Sequence, residues 1–270
     1  MTLTPTRILS RNLAGSSSPV VVETDDGLFL VKLRGAAQGT ATLVAEVIAA
    51  GIADRLGLAV PERKIIRLEI DTPSDDVNDE LADLRTASVG ENLGFRFLDD
   101  AVVLNEEDAC TIDPDWELRV RWFDWLLMNP DRSPVNTNIL RSGETFYLID
   151  HGSALPFQYG EAWPERADPA AAELPVAHLF DHHVDRLSSV DAELTGLLGV
   201  DELHDIAAAI PDSFLRPLLA PSATTADVDR LRMEYVDFLA RRLASPRRFR
   251  TEPVPERTRG AVPDWAVMRS

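Results

Sequence analysis

The stretch Trp122-Phe123-Asp124-Trp125-Leu126-Leu127-Met128-Asn129-Pro130-Asp131-Arg132-Ser133-Pro134-Val135-Asn136-Thr137-Asn138-Ile139-Leu140 is followed, after a turn, by Phe146-Tyr147-Leu148-Ile149-Asp150-His151-Gly152-Ser153-Ala154-Leu155. Its apolar start reads as the end of a helix that stops at Met128. A polar loop then carries Asn129, Asp131, Arg132, Asn136 and Asn138. A short strand over 138–140, a turn at Ser142-Gly143-Glu144 and a second strand over 146–149 make a hairpin. The hairpin delivers Asp150 into a second loop with Gly152 and sets Asp131, Asn136 and Asp150 near one another. Two carboxylates and a carboxamide suit a magnesium–triphosphate site: one acid orients a hydroxyl, and the other acid with the amide oxygen holds the metal.

Upstream, the helix carrying this loop starts at Asp113-Pro114-Asp115, with a cap, a proline in the first turn and acids beside it. Trp116, Val120, Phe123 and Leu127 form its inward face, and Trp122 and Trp125 read as packing residues. Further back, strands over 6–11, 20–23 and 28–33 surround a small-residue loop, Asn12 to Pro19, and a turn at Asp25-Asp26-Gly27. Small residues at Gly15, Ser16, Ser17 and Ser18 let backbone N–H groups approach a phosphate, and the hydroxyls add donors. Lys32 lies on the return strand among apolar neighbours, where a lone lysine is costly unless paired. A helix opens at Thr40, read as its cap, carries Leu43, Val44, Val47, Ile48, Ile52 and Leu56 at helical spacing, and ends at Gly57. Glu46 in its second turn is the expected partner of Lys32.

The remaining segments are plainer. A strand is expected over 64–70, with Lys64 on the surface. The acidic run Asp71 to Asp83 reads as a mobile surface loop. Ser88 to Gly94 leads into an apolar strand over 95–98 that ends at Asp99-Asp100, a placement suited to a hinge. The segment 156–175 is rich in Pro, Ala, Asp and Glu and reads as irregular. His178, His182 and His183 lack a matching cysteine or acid framework and read as helix-surface histidines. A final helix spans 225–243, with Val228, Leu231, Tyr235, Leu239 and Leu243 inward. The Arg- and Pro-rich tail from Ser245 onward reads as a solvated arm.

The bulk numbers narrow the function. At 270 residues the chain suits one large domain or two lobes sharing a cleft. A net charge of −18 repels nucleic acid and anionic membrane, so neither is an expected partner. No apolar run approaches the roughly 18 residues of a membrane span, and no signal-peptide core is visible, so a cytoplasmic protein is the expectation. The single cysteine, Cys110, excludes an internal disulfide. Lys32 and Lys64 are the only lysines, so a lysine in an apolar strand is more informative than usual.

Asp131, an asparagine five positions on, and Asp-x-Gly after a hairpin follow the order of the protein-kinase catalytic and metal-binding loops. Asn129-Pro130-Asp131-Arg132 stands where those kinases have His-Arg-Asp, and Asp150-His151-Gly152 where they have Asp-Phe-Gly. Together with Ala14-Gly15-Ser16-Ser17-Ser18-Pro19, Leu30-Val31-Lys32-Leu33, Arg34-Gly35-Ala36-Ala37-Gln38-Gly39 and Gly57-Leu58-Ala59-Val60-Pro61-Glu62, these blocks make the chain resemble the HipA-like kinase family. The resemblance implies an α+β, two-lobed protein-kinase-like fold. A small antiparallel-sheet lobe with one helix, residues 1–100, would bind nucleotide; a larger, mainly helical lobe, 101–245, would carry catalysis; 246–270 would be a tail. It implies ATP and Mg2+ as cofactors and phosphoryl transfer to a hydroxyl of a protein or small molecule. Asp131 would be the base, Asn136 and Asp150 the metal ligands, Lys32 the α/β-phosphate contact and Gly15 to Ser18 the phosphate loop. Asn138 rivals Asn136. Arg132 either neutralises phosphate or braces the loop against Asp150. A non-catalytic pseudokinase and a small-molecule or lipid-head-group kinase on the same fold are the alternatives.

Overall fold

The computed structural model describes residues 2–9, 19–36, 39–75, 79–105, 108, 112–160, 163, 168–170, 177–250 and 252. Gly15 to Ser18, Cys110, most of 156–175 and nearly all of the tail past 250 lie outside the described residues. The fold is mixed α+β: an antiparallel-rich sheet precedes a mainly helical half. Strands β1 (Thr2–Leu3), β2 (Arg7–Leu9), β3 (Val20–Thr24), β4 (Gly27–Lys32), β5 (Arg63–Leu68) and β6 (Gly90–Arg96) form a six-stranded sheet in the order β1-β5-β6-β4-β3-β2. Only the β1–β5 pair is parallel.

The β3–β4 hairpin turns at Asp25-Asp26. Thr24 Oγ1 accepts from Asp26 N–H at 3.1 Å and donates to Gly27 O at 2.9 Å. Gly27 has φ +103°, a conformation that side chains disfavour. Beyond it, Phe29 and Val31 face one apolar cluster with Ile8, Val22, Ile66 and Leu68.

Several sequence expectations need correction here. Helix α1 (Thr40–Arg55) is capped by Gly39, at φ +71°, with Thr40 its buried first residue. The acidic run is not all loop: residues Asp79–Ala87 form helix α2. Leu81 and Leu84 pack on the sheet's apolar cluster, and Arg85 donates to Thr72 O at 2.6 Å, so two leucines outweigh the acidic composition. Strand β6 starts at Gly90 rather than Phe95, and it is central, lying between β5 and β4. Its glycines and Asn92 hide it from pattern reading. Asn92 is buried because its Oδ1 accepts from Arg34 N–H at 2.8 Å and its amide donates to Ser88 O and Gly90 O.

Helix α1 is apolar around most of its circumference and links the halves. Leu43, Val47, Ile48 and Ile52 share one core with Val120, Phe123, Leu126, Ile206 and Phe214. Helix α3 (Pro114–Leu127) begins as its cap signals indicate: Asp113 accepts from Asp115 N–H at 3.2 Å and Pro114 takes the first position. It ends on Met128 in the left-handed region. Strands β7 (Val102–Val103), β8 (Ile139–Ser142) and β9 (Thr145–Leu148) form a second, antiparallel sheet. Helices α4 (Ser188–Gly196), α5 (Val200–Ala208), α6 (Asp212–Leu215) and α7 (Thr225–Ala244) complete the core, α7 opening on a capping box of Thr224 and Asp227. The start of the tail is not a solvated arm: Phe249 packs edge-on against Trp125 at 4.7 Å, and Arg247 and Arg250 bond Asp191 and Asp181. No described helix is long and apolar enough to cross a membrane.

Gly94 lies where the sheet leaves no room for a side chain. A Cβ there would lie 2.5 Å from Ile66 Cγ1. Gly94→Ala is therefore expected to cost about 1–3 kcal/mol through overpacking, and Ile66→Val added to it to recover part. Urea unfolding measures this; an unchanged midpoint for Gly94→Ala contradicts it.

Candidate active site

The last residue of β4 is Lys32, its side chain 10% exposed. Its Nζ donates to Glu46 Oε1 on α1 and to Asp150 Oδ1 after β9. Strand β4 holds its register by pairing Lys32 with Leu93 of β6. Glu46 is fully buried and points at the sheet from the second turn of α1. Asp150 sits at φ +57°, its side chain 43% exposed, so it is the member of the triad open to solvent.

Burial opposes the charge of both members of the Lys32–Glu46 pair, and each partner's charge overcomes it. Lys32 is raised above its ordinary 10.5 because Glu46 and Asp150 outweigh its desolvation. Glu46 is held down to about 2, as Lys32 and the neighbouring His151 outweigh its desolvation. The stability Glu46 supplies is thus present above its ordinary 4.5 and lost as pH falls through about 2. His151 is buried, 3.4 Å from Glu46 Oε2 and edge-on to Phe123 at 5.5 Å.

The loop after α3 is built on a second buried charge pair. Arg132 is completely buried, and its Nε donates to Asp124 Oδ2 at 2.6 Å. Its Nη1 donates to Asn138 O at 2.6 Å and Thr137 O at 3.3 Å. Arg132 therefore braces the loop, but against Asp124 of α3 rather than Asp150, and its guanidinium is enclosed away from any phosphate. The expectation that Arg132 acts in catalysis is corrected accordingly. Asp124 also accepts from Asn129 Nδ2 at 2.7 Å and contacts His178 Nε2 at 2.9 Å. His178 Nδ1 accepts from Phe180 N–H, so Nε2 carries the proton and donates to Asp124. Burial works against Asp124's ionisation, but Arg132 and His178 prevail and hold the carboxyl well below the usual range. Buried His178 is thus no surface histidine.

This brace positions Asp131. Its backbone N–H donates to Asn129 Oδ1 at 3.2 Å. Ser133 and Asn136 close a turn through two mutual backbone hydrogen bonds, 3.0 and 3.1 Å long. Asn136 Nδ2 then donates to Asp131 Oδ1 at 3.0 Å, and Asn138 Nδ2 to Asp131 O at 2.9 Å and Oδ2 at 3.4 Å. Both candidate asparagines therefore address the same acid. Burial raises the Asp131 pKa above its ordinary 3.8, and the nearby Asp150 charge adds to the rise, against the hydrogen bonds from Asn136 and Asn138.

The structure thus gathers Lys32, Glu46, Asp131, Asn136 and Asp150 around one site. Gly15 to Ser18 lie outside the described residues. Sequence reasoning missed Asp124, Asn129, His151 and His178 as parts of its frame. One signal was available: Asp124 is a lone acid in the apolar run Trp122–Leu127, and a buried carboxylate demands partners.

A buried lysine–glutamate pair joined to a half-exposed aspartate, facing an asparagine-held acid on a loop, is the arrangement of a kinase-type phosphotransferase. The sequence profile of the HipA-like kinases matches residues 6–226, and the chain belongs to that family. Among solved structures, the crystal structure of the Helicobacter pylori proinflammatory kinase CtkA is similar over 87% of this chain and 94% of that chain, at 14% identity and a TM-score of 0.47. No curated protein matches the sequence.

Two outcomes follow from the buried charges. Arg132→Met strands the Asp124 carboxylate and should destabilise the fold by about 3–5 kcal/mol, with Asp124→Leu in the same chain recovering part of the loss. Denaturant unfolding checks this, and a loss below about 1 kcal/mol would contradict the brace. Asp131 behaves oppositely. A carboxyl with a raised pKa binds its proton more tightly folded than unfolded, so its ionisation costs stability as pH rises from 3.8 through the folded value. Asp131→Asn should therefore raise the melting temperature at pH 7; a lower one contradicts this assignment.

Proposed function

We propose that the chain transfers the γ-phosphoryl group of ATP, bound with Mg2+, to a hydroxyl of a protein Ser/Thr side chain or of a small molecule. The observation that carries this reading is the meeting of Lys32 with Glu46 and with Asp150, residues 118 positions apart from Lys32 in the last case, beside Asp131. The charge balance supports it. Glu46 neutralises Lys32 and Asp124 neutralises Arg132, which leaves Asp131 and Asp150 in excess. Two carboxylates in excess fit a divalent cation, and the two asparagine amides beside them offer neutral oxygen ligands.

Asn136 and Asp150 are the residues that would hold Mg2+, which when bound would neutralise phosphate charge, while ATP supplies the phosphoryl group. Lys32, fixed by Glu46, offers its ammonium to the α/β-phosphates. Asp131 accepts the proton of the acceptor hydroxyl. The acceptor oxygen forms a bond to the γ-phosphorus as the bond to the β-bridging oxygen breaks, and ADP departs with that electron pair. A base whose pKa burial raises above that of an ordinary aspartate suits this proton transfer better. Gly15 to Ser18 are assigned to the phosphate loop on the same reading. Positioning and charge neutralisation supply most of the acceleration.

The test is ADP release in the presence of a cell extract as the source of acceptor. Asp131→Asn should lower turnover by about 10²–10⁴-fold while leaving Mg–ATP affinity within a few-fold. Lys32→Met and Glu46→Gln should each reduce turnover, with a double variant losing less than the sum. Equal turnover by wild type and Asp131→Asn removes Asp131 from the mechanism. Mg–ATP binding without any turnover would favour a pseudokinase.

A further inference from the structure

Away from this site, three metal-ligand side chains converge on one point. Glu117, in the first turn of α3, is 2% exposed. His182 Nε2 lies 3.1 Å and His183 Nε2 2.7 Å from its Oε2. One donor atom from each residue falls within 4.8 Å of the others. The absence of an acid framework, expected from sequence, is thereby corrected: the acid comes from a helix 65 positions upstream of His182.

Among the described residues, Glu117 has no lysine or arginine partner; its side-chain contacts are the two imidazoles. Other buried acids here are matched by a full cation: Glu46 by Lys32, Asp124 by Arg132, Asp181 by Arg121 and Arg250. Two imidazoles, rather than a lysine or arginine, meet the buried Glu117 carboxylate, where a charge is expensive without a strong partner. A divalent cation satisfies it and uses both imidazole lone pairs at once. The His182 side chain is 49% exposed, which gives the ion an entry path and leaves room for water as a further ligand. Metal–ligand bonds of about 2.0–2.2 Å in tetrahedral geometry place ligand atoms about 3.3–3.6 Å apart, so the carboxylate–imidazole separations of 3.1 and 2.7 Å need to open by less than about 1 Å.

We propose that Glu117, His182 and His183 form a Zn2+ site, with solvent completing the coordination. Two imidazoles and one carboxylate are a borderline-soft donor set that favours Zn2+ over Mg2+ or Ca2+. The ion would staple the turn 181–186 onto α3. The segment just before that turn touches the catalytic-loop brace: Leu179 N–H donates to Arg132 O at 3.0 Å, and His178 bonds Asp124. Bound zinc therefore stiffens the frame behind Asp131 without entering the phosphotransfer site.

The experiment titrates Zn2+ into chelator-treated full-length protein in excess Mg2+, which occupies hard carboxylate sites. Calorimetry should show one saturable equivalent per chain and scanning fluorimetry a rise in melting temperature, both reversed by EDTA. His183→Asn and Glu117→Gln should each weaken binding by at least about 100-fold, more than the loss of an outer partner costs, and Co2+ should give visible absorption that His183→Asn abolishes. His182→Asn, altering a half-exposed position, serves if Glu117→Gln fails to fold. Absence of a saturable equivalent, or zinc binding that persists unchanged in the histidine variants, would overturn the assignment.

Discussion

A buried ammonium shared between two carboxylates is the interaction on which the site depends. Lys32 comes from a strand, Glu46 from the helix that links the two halves, and Asp150 from the far end of a hairpin in the second sheet. Neither Lys32 nor Glu46 is tolerable alone at its depth. The pairing therefore selects the relative placement of sheet, helix and hairpin that satisfies all three. The reward in net stability is modest because desolvation offsets most of the Coulomb energy. The structural consequence is a fixed ammonium at the mouth of a site whose remaining acids lie in excess.

The second buried pair does for the loop what the first does for the site. Asp124 collects Arg132, Asn129 and His178, and Arg132 in turn ties down the carbonyls of Thr137 and Asn138. With both ends of the loop pinned, Asn136 and Asn138 are left to orient Asp131. The arrangement separates the charges by burial: Asp124 and Arg132 set the backbone from inside, and Asp131 and Asp150 stay partly exposed. Asp131 carries the cost of that separation as a raised pKa.

Much of this was legible in the sequence because the relevant signals are local. A lysine in an apolar strand, a glutamate on an apolar helix, and acids at fixed offsets around a hairpin read directly from the chain. So did the cap of α3 at Asp113-Pro114. What stayed hidden depends on partners distant in sequence. Arg132 reads as a phosphate-facing cation or a brace against Asp150 until Asp124 is seen behind it. His182 and His183 read as surface residues until Glu117 is placed beneath them. Helix α2 was masked by acidic composition, although Leu81 and Leu84 were enough to dock it. The early start of β6 was masked by Gly90, Asn92 and Gly94, whose roles are a left-handed turn, a buried hydrogen-bond hub and a contact too close for any side chain.

The measurement that bears most directly on the central claim is the shift in melting temperature produced by ATP with and without Mg2+. A ligand bound only by the folded state stabilises it by about 2.7 kcal/mol at a hundred times its dissociation constant. The site described here predicts a rise that needs both ATP and Mg2+, is largely lost in Lys32→Met, and loses its Mg2+ dependence in Asp150→Asn. No shift in wild type at millimolar Mg–ATP, or an equal shift in all three proteins, would contradict it.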